Sequence, residues 1–170
     1  MSRILSFIVA LMLLFTVFLI VSASISPMDV ILGLVASIVV AAFTSTLIIR
    51  EAPQKALNVT RWAWAVLFFL YYILVMEPKC HWDVIKRILH PKAPIKPGIV
   101  RVPYKVRSDY AITAVACSIT NTPGTVVIDV DEGEKKRYYV HWIDVKTMDE
   151  ERCYEMISKT FEYYVRKVFD

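Results

Sequence analysis

Two uncharged apolar stretches near the N-terminus constrain this chain more than any other feature. ILSFIVALMLLFTVFLIVSA (residues 4–23) and VILGLVASIVVAAFTSTLII (residues 30–49) are separated by only six residues, and Asp29 is the only charge between residues 4 and 49. A helix of about 20 apolar residues crosses the hydrocarbon core of a bilayer. A cleavable signal peptide is the rival interpretation of the first stretch, but a second stretch follows at once. The sequence therefore predicts a tight transmembrane helical hairpin.

A third apolar segment, WAWAVLFFLYYILVM (residues 62–76), is marginal in length for a span. Arg50, Lys55 and Arg61 precede it, whereas the loop inside the hairpin has no Lys or Arg. The positive-inside rule then places both ends of the hairpin in the cytoplasm. The stretch after the third segment is more basic still, so we expect this segment to be re-entrant or interfacial. Three full crossings with an external N-terminus are the alternative, and both solutions leave the C-terminal part cytoplasmic.

The stretch HWDVIKRIL (residues 81–89) has the pattern of an amphipathic helix. Its apolar face holds Trp82, Ile85 and Leu89, and its polar face holds Asp83, Lys86, Arg87 and His90. Residues 50–107 carry 11 Lys or Arg against 3 acids. This pattern predicts a helix that rests on anionic lipid headgroups and is kinked away from the third segment by Pro78. Nucleic-acid binding is the less simple interpretation, and we expect no nucleic-acid partner.

The remaining sequence predicts a small cytoplasmic α/β domain. HPKAPIKPGI (residues 90–99) contains three prolines and cannot be helical. We therefore divide the chain into a membrane anchor (residues 1–90), a Pro-rich linker (91–98) and the domain (99–170). Strand and helix patterns follow in the order β-α-β-β-α. The predicted elements are the strand IVRVPYKV, the helix SDYAITAVACSIT with Ser108 as its N-cap, the strands TVVIDV and RYYVHWIDV, and a last helix that starts at Thr147 with a Thr147–Glu150 capping box. On that last helix Cys153, Met156, Ile157, Phe161, Tyr164, Val165 and Val168 share one face.

Few residues suggest chemistry. The spans lack the buried acid, Lys or His that an ion conduit needs, and Glu77 beside Pro78 is the one candidate for ion movement or subunit contact. His141 lacks a nucleophile or second ligand at a suitable spacing, so a structural role is favoured. We expect no catalytic residue, metal site or cofactor. The acids around Gly133 (Asp129, Asp131, Glu132 and Glu134) lack the spacing of a calcium loop, and Cys80, Cys117 and Cys153 lack metal-ligand spacing and are expected to be unpaired thiols.

CSITNTPGT (residues 117–125) follows a predicted helix and ends in Pro-Gly-Thr. It has one glycine and no Lys, so it is not a phosphate loop. Turn chemistry explains it better: we expect Asn121 to adopt the left-handed conformation at the helix end, Pro123 to stop the helix and Gly124 to supply a conformation that other residues avoid.

The order IKPGIVRVP, SDYAITAVACSITNTPGTVVIDV and YYVHWIDV resembles the E subunit of Mrp-type multisubunit sodium/proton antiporters. That family has a P-G-I strand entry, a helix that ends in a T-x-T-P-G-T turn, and a following V-H-x-x-D strand. Asn121 replaces the leucine that is usual between the two threonines. The same subunit type is similar to small membrane subunits of archaeal membrane-bound hydrogenases and sulfur reductases.

The resemblance implies a non-catalytic accessory subunit of a multi-pass cell-membrane complex that exchanges sodium for protons. Its partners would be other subunits and lipid headgroups. A hydrogenase or sulfur-reductase complex is the first alternative, and a membrane-anchored binding protein that acts through its cytoplasmic domain is the second. The candidate functional or interface residues are Glu77, Pro78, Thr120, Asn121, Thr122, Pro123, Gly124, Thr125 and His141.

Overall fold

The first of two units in the computed structural model, Met1–Val59, contains a pair of apolar helices. The structure describes residues 2–47, 55 and 58–170, so the end of the second predicted apolar stretch lies outside the described residues. Helix α1 covers Ser2–Ser22 and helix α2 covers Pro27–Leu47. Each is long and apolar enough to cross a membrane.

Small residues mediate the contact between α1 and α2. Ala10 and Ala41 are buried, and a Cβ atom on Gly33 would come within 2.4 Å of Phe18 Cδ1. Such residues allow two helix backbones to approach closely. The larger apolar side chains on the outside of the pair are exposed, as expected for helices whose solvent is hydrocarbon.

The second unit, Thr60–Asp170, includes one long helix where the sequence predicts two separate segments. Helix α3 (Val59–Tyr71), a π-helical turn (Tyr72–Met76) and helix α4 (Glu77–Leu89) follow one another without a break. The prediction that residues 81–89 form a helix separate from the third apolar segment is therefore wrong. Pro78 lies in the first turn after the π-helical turn, and proline is tolerated in the first turn of a helix. The combined helix has 31 residues and is also long and apolar enough to cross a membrane.

A three-stranded antiparallel sheet follows. Strand β1 covers Gly98–Pro103, β2 covers Thr125–Asp131 and β3 covers Arg137–Trp142, with β3 in the centre. Val140 of β3 pairs with Val100 of β1 and with Val127 of β2, and a bulge follows Val127. The predicted arrangement of apolar N-terminal helices followed by a small sheet domain with helices is confirmed.

Helix α5 (Asp109–Asn121) connects β1 to β2. The Ser108 hydroxyl accepts a hydrogen bond from the backbone N–H of Ala111 at 3.3 Å, so the predicted N-cap is confirmed. Helix α5 contacts β2 and the last helix of the chain.

The last helix begins later than predicted. Helix α6 (Glu150–Cys153), a π-helical turn (Tyr154–Ser158) and helix α7 (Lys159–Phe169) form it. The predicted capping box is wrong, because Asp149 is the N-cap and accepts from the backbone N–H of Arg152 at 2.9 Å. Met156, predicted to face the core, lies within the π-helical turn and is 56% exposed. Cys153, Ile157, Phe161 and Val165, predicted on the same face, are buried.

One apolar core joins the sheet to α5 and the last helix. Its members are Val100, Val102, Tyr104, Val106, Ala111, Ile112, Val115, Ile119, Tyr138, Val140, Cys153, Tyr154, Ile157, Phe161 and Val165. Phe68, Tyr72 and Met76 of the long helix pack against it.

Candidate functional site

The candidate site is the helix–domain junction, which we define as the contact of residues 64–87 with α7, with the α5–β2 turn and with the end of β3. Aromatic rings form its first part. Phe68 stacks on Tyr164 with ring centroids 5.4 Å apart, and it meets Phe161 edge-on at 6.4 Å. Further ring contacts extend the cluster to Trp64, Tyr71, Tyr72 and Tyr163. These rings dock α3 along α7.

Asn121 belongs to this junction. It is the last residue of α5, and the following Thr122 has an extended conformation with φ −83°. The predicted left-handed conformation of Asn121 is wrong, because the positive φ of this turn lies at Gly124 instead. The Asn121 side chain donates from Nδ2 to the Tyr72 hydroxyl at 3.0 Å. Asn121 therefore joins the end of α5 to the π-helical turn of the long helix.

The threonines of the turn tie α5 to β2. The hydroxyls of Thr122 and Thr125 both donate to the carbonyl of Ile119 at 2.8 Å. The Thr120 hydroxyl accepts from the backbone N–H of Val127 at 3.1 Å, which satisfies a donor on the outer edge of β2. The two bonds to Ile119 thus satisfy one of the carbonyl groups that a helix end leaves without partners.

Gly124 places the turn against β3 and the long helix. Its φ is +98°, and its carbonyl accepts from the backbone N–H of Ile143 at 2.9 Å. A Cβ atom at this position would meet Ile143 Cγ2 at 3.0 Å and Val84 Cγ2 at 3.7 Å. The turn therefore lies between the end of β3 and α4. Pro123 is also part of this turn and directly precedes Gly124.

We expect Gly124→Ala to destabilise the second unit by about 2 kcal/mol, because a side chain disfavours this φ. Denaturant titration of the full chain in mild detergent, followed by tryptophan fluorescence, measures the loss. Gly98→Ala is the matched control: its Cβ would also meet a methyl group at 3.0 Å, that of Val145, but its φ is not in the positive range. An equal loss in both variants would attribute the effect to crowding and contradict the backbone argument.

A charged contact that sequence reasoning missed forms the other end of the junction. Arg87 Nη1 of α4 lies 2.7 Å from Asp144 Oδ2, and both side chains are largely buried at 14% and 8% exposure. Lys146 also pairs with Asp144. The hydrogen bond from Lys146, and then the charge of Arg87, hold the pKa of Asp144 below its usual value. Asp144 is the last residue of the V-H-x-x-D pattern, and this pattern is the sequence feature that could have identified Asp144 as a contact residue.

Arg87 has two further partners. Its Nε donates to Asp83 Oδ2 at 2.8 Å, and its Nη1 donates to the carbonyl of Pro94 at 2.9 Å. The nearby Lys96 exchanges backbone hydrogen bonds with Ile143 and Val145 at 3.1 and 2.8 Å. The Pro-rich stretch is thereby fixed between α4 and the end of β3.

Glu77 and Pro78 lie at the start of α4. Glu77 Oε2 is 3.1 Å from His81 Nδ1, one helical turn away. The other oxygen, Oε1, is buried without a hydrogen-bond partner among the described residues. The structure thus pairs Glu77 with His81 and leaves Oε1 without a hydrogen bond, which is unusual for a buried polar atom.

His141 is separate from this junction. It is exposed on the central strand, opposite Ile99 of β1 and Val126 of β2, which are 52% and 44% exposed. Two of the acids near Gly133 bond to nearby backbone groups, both at 2.9 Å. Asp131 Oδ1 accepts from the N–H of Gly133 in the turn, and Asp129 Oδ1 accepts from that of Val130 beside the bulge of β2. All three cysteines are free.

An open apolar groove of about 1050 Å³ adjoins the junction. Helix α3, helix α5 and the edge of β2 line it, with Phe69, Cys117 and Val130 among its walls. Thr120 and Asn121 also face it. The groove and the outer face of the sheet are apolar surfaces suited to protein or lipid contact.

The chain is similar in sequence to known antiporter subunits. A family model described as Na+/H+ ion antiporter subunit, MNHE, matches residues 11–168. The E subunit of the Na(+)/H(+) antiporter of Alkalihalophilus pseudofirmus is 38% identical over 110 residues, which are 62% of this chain and 65% of that protein. The E1 subunit from Staphylococcus haemolyticus is 36% identical over 61% of this chain and 60% of its own length. The chain thus spans slightly less than two thirds of these curated relatives.

One solved structure matches almost the whole chain. It is a chain of the membrane-bound sulfane sulfur reductase, an archaeal respiratory membrane complex. The TM-score is 0.85 at 34% sequence identity, over 99% of this chain and 100% of that one. The fold described above therefore occurs in a subunit of a larger membrane complex.

Proposed function

The chain belongs to the family of Na+/H+ ion antiporter subunits, and from this premise we propose that it is a non-catalytic subunit of a multisubunit cation/proton antiporter complex. It supports assembly and ion exchange and does not itself conduct the ion. The proposal that the chain does not conduct the ion rests on the composition of the spans. Between residues 4 and 47, Asp29 at the start of α2 is the one ionisable side chain. A proton or sodium pathway through hydrocarbon needs such groups at membrane depth.

The proposed membrane attachment covers residues 1–90. Helices α1 and α2 span the bilayer, and the long helix lies at its cytoplasmic surface. Trp62, Phe69 and Leu74 are among its exposed apolar side chains, at 49%, 61% and 68%. Lys79 and Lys86 of α4, which are both exposed, then meet anionic headgroups, whereas Arg87 is held by Asp144.

A full crossing by the long helix is disfavoured by the helix–domain junction. The rings of α3 pack directly on α7, and α7 carries Lys159, Glu162, Arg166 and Lys167. A crossing would draw these charges toward hydrocarbon, at a cost of several kcal/mol each by order of magnitude. We accordingly propose that the linker (91–98) and the domain (99–170) are cytoplasmic, which agrees with the positive-inside rule.

We propose that the domain binds other subunits through two surfaces. The first is the turn Thr120–Thr125 with Glu77 and Pro78, which the junction holds in a fixed position beside the apolar groove. The second is the exposed sheet face around His141, where Ile99 and Val126 flank the imidazole. Exposed apolar surface beside polar groups is typical of protein contacts. A role in nucleic-acid binding is not proposed.

A second candidate function is the same subunit role in an archaeal respiratory complex. The match to a sulfane sulfur reductase chain over 99% of this chain favours it. In both functions the chain is an accessory membrane subunit, so the two differ in the reaction that the complex couples to ion movement.

Deletion of the chain from its host tests the proposal. We expect the neighbouring subunits to lose their co-purification after mild detergent extraction and Na+/H+ exchange in membrane vesicles to fall several-fold. Re-expression of the full chain should restore both. Unchanged exchange in the deletion strain, together with isolation of this chain as a stable monomer, would overturn the proposal. Co-purification of respiratory redox subunits would support the second candidate function, a subunit role in a respiratory complex.

A further inference from the structure

Glu162 is a charged side chain enclosed in the core of the C-terminal domain. It lies on α7 between the core residues Phe161 and Val165 and is 1% exposed. Both of its carboxylate oxygens lie 3.2 Å from one donor, the backbone N–H of Lys105. A carboxylate offers about four acceptor sites, so a single shared N–H leaves it poorly satisfied when it is ionised.

The groups that face Glu162 do not neutralise it. Lys105 directs its Nζ elsewhere, to Glu151 Oε1 at 2.8 Å and over the Tyr154 ring at 4.0 Å. Arg166 and Asp170 act on Glu162 from its own helix with opposite signs. Tyr138 of β3 and Tyr154 of the last helix also interact electrostatically with Glu162. Among the described residues, no Lys, Arg or His forms an ion pair with this carboxyl group.

Burial consequently raises the pKa of Glu162 from 4.5 to about 7, against the smaller opposing effect of the Lys105 N–H and the Lys105 and Arg166 charges. Desolvation penalises the charged form of a buried acid. The group is thus poised to change charge near neutral pH.

Glu162 also holds a connecting segment in place. Residues 104–108 join β1 to α5, and the last helix fixes them through two carboxylates. Glu162 accepts from Lys105, while Asp170 accepts from the N–H groups of Arg107 and Ser108, both at 3.1 Å. The Ser108 hydroxyl, which caps α5, also donates to Asp170 at 2.9 Å. The start of α5 therefore depends on carboxylates of the last helix.

We propose that Glu162 is a buried proton-binding site through which pH controls how firmly the last helix holds residues 104–108 and the start of α5. The protonated acid suits the apolar core. Ionisation places an unpaired charge there, which favours local opening of this segment to water. The inference goes beyond the proposed function and stands on the domain alone, so loss of the antiporter assignment would leave it unchanged.

The sign of the pH effect follows from the pKa. The folded-state pKa is raised above the unfolded value, so the folded domain binds the proton more tightly. The stabilising effect of this proton is complete below the unfolded pKa. It is lost as the pH rises through the folded pKa of about 7.

Thermal unfolding of the full chain in mild detergent at pH 5.5, 7 and 8.5 tests the proposal. We expect the wild-type midpoint to fall as pH rises. Glu162→Gln, which keeps the shape but cannot ionise, should flatten this dependence and raise the midpoint at pH 8.5 by about 5 °C or more. Glu155→Gln is the matched control, because Glu155 is exposed on the same helix and pairs with Lys159. This control should keep the wild-type dependence.

Equal pH dependence in wild type and Glu162→Gln would overturn the proposal. His81, His90 and His141 are present in all three proteins, so their titration cancels in the comparison. If Glu162→Gln does not fold, infrared spectroscopy of the wild type tests the proposal by following the protonation of its carboxyl groups with pH. A protonated carboxyl band that disappears near neutral pH supports the site, whereas ionisation of every carboxyl group below pH 5 overturns it.

Discussion

Phe161→Ala is expected to remove about 4 kcal/mol of stability from the second unit, the largest loss that we predict for a single substitution. Phe161 is 2% exposed, and its ring meets Phe68 and Tyr72 with centroid distances of 6.4 and 6.1 Å. Truncation leaves a cavity between the core and the long helix, and the loss combines the transfer free energy with the cavity cost. The same cavity lies under α3, so the long helix should detach from α7 before the sheet unfolds.

Denaturant titration in mild detergent measures this loss, and Trp64 reports the detachment, since its ring lies 6.4 Å from that of Tyr164. Tyr163→Ala is the control on the same helix. Tyr163 is 54% exposed and retains only edge contacts with its ring neighbours, so its removal should cost about 1 kcal/mol. Both residues belong to the junction and differ in burial, so similar losses for the two variants would contradict the cavity argument for Phe161.

Asp144→Ala should destabilise the same junction by about 2 kcal/mol and loosen α4 from the end of β3. Removal of one member of a buried ion pair leaves the other charge without compensation, which typically costs about 3 to 5 kcal/mol. The loss is smaller here because Arg87 keeps the Asp83 carboxylate and the Pro94 carbonyl. Hydrogen exchange of residues 80–97 should increase more than that of the central strand.

A double-mutant cycle isolates the pair. Arg87→Met and Asp144→Ala should each be destabilising, and the double variant should lose less than the sum, with a coupling of about 1 kcal/mol or more. Lys159→Met is a control for the loss of an exposed pair, because Lys159 and Glu155 are both more than half exposed. It should change stability by about 0.5 kcal/mol or less. Additive losses for Arg87 and Asp144 would show that the contact does not hold α4.

The two ends of α5 show which features can be predicted from neighbouring residues alone. Ser108 as the N-cap and the positive φ of Gly124 were predictable, because each depends on a residue and its immediate chain neighbours. Asn121 was mispredicted for the same reason. Its tolerance of the left-handed conformation is a local property, but its amide is used by Tyr72, which is 49 residues away. A contact between such distant residues leaves no periodic signal in one sequence.

The two π-helical turns account for two further differences between prediction and structure. Regular periodicity assumes 3.6 residues per turn, and Met156 lies within a wider turn, so its position on the helix was misassigned. Burial of Glu162 was not predicted, because an acidic side chain is almost never fully buried without a partner. In the same way, the π-helical turn Tyr72–Met76 and the proline after it hid the continuity of the long helix.

By itself, the sequence determined the apolar helices, the presence of a small sheet domain and the family resemblance. The reason is that uncharged length, strand alternation and turn residues act over short distances along the chain. The tertiary structure alone decided that the third apolar segment packs on α7, that Asp144 meets Arg87, and that a glutamate is enclosed in the core. Each of these contacts depends on which helix and strand faces meet in the folded chain. Burial of a charge or of an aromatic ring changes the stability only once those faces are in contact.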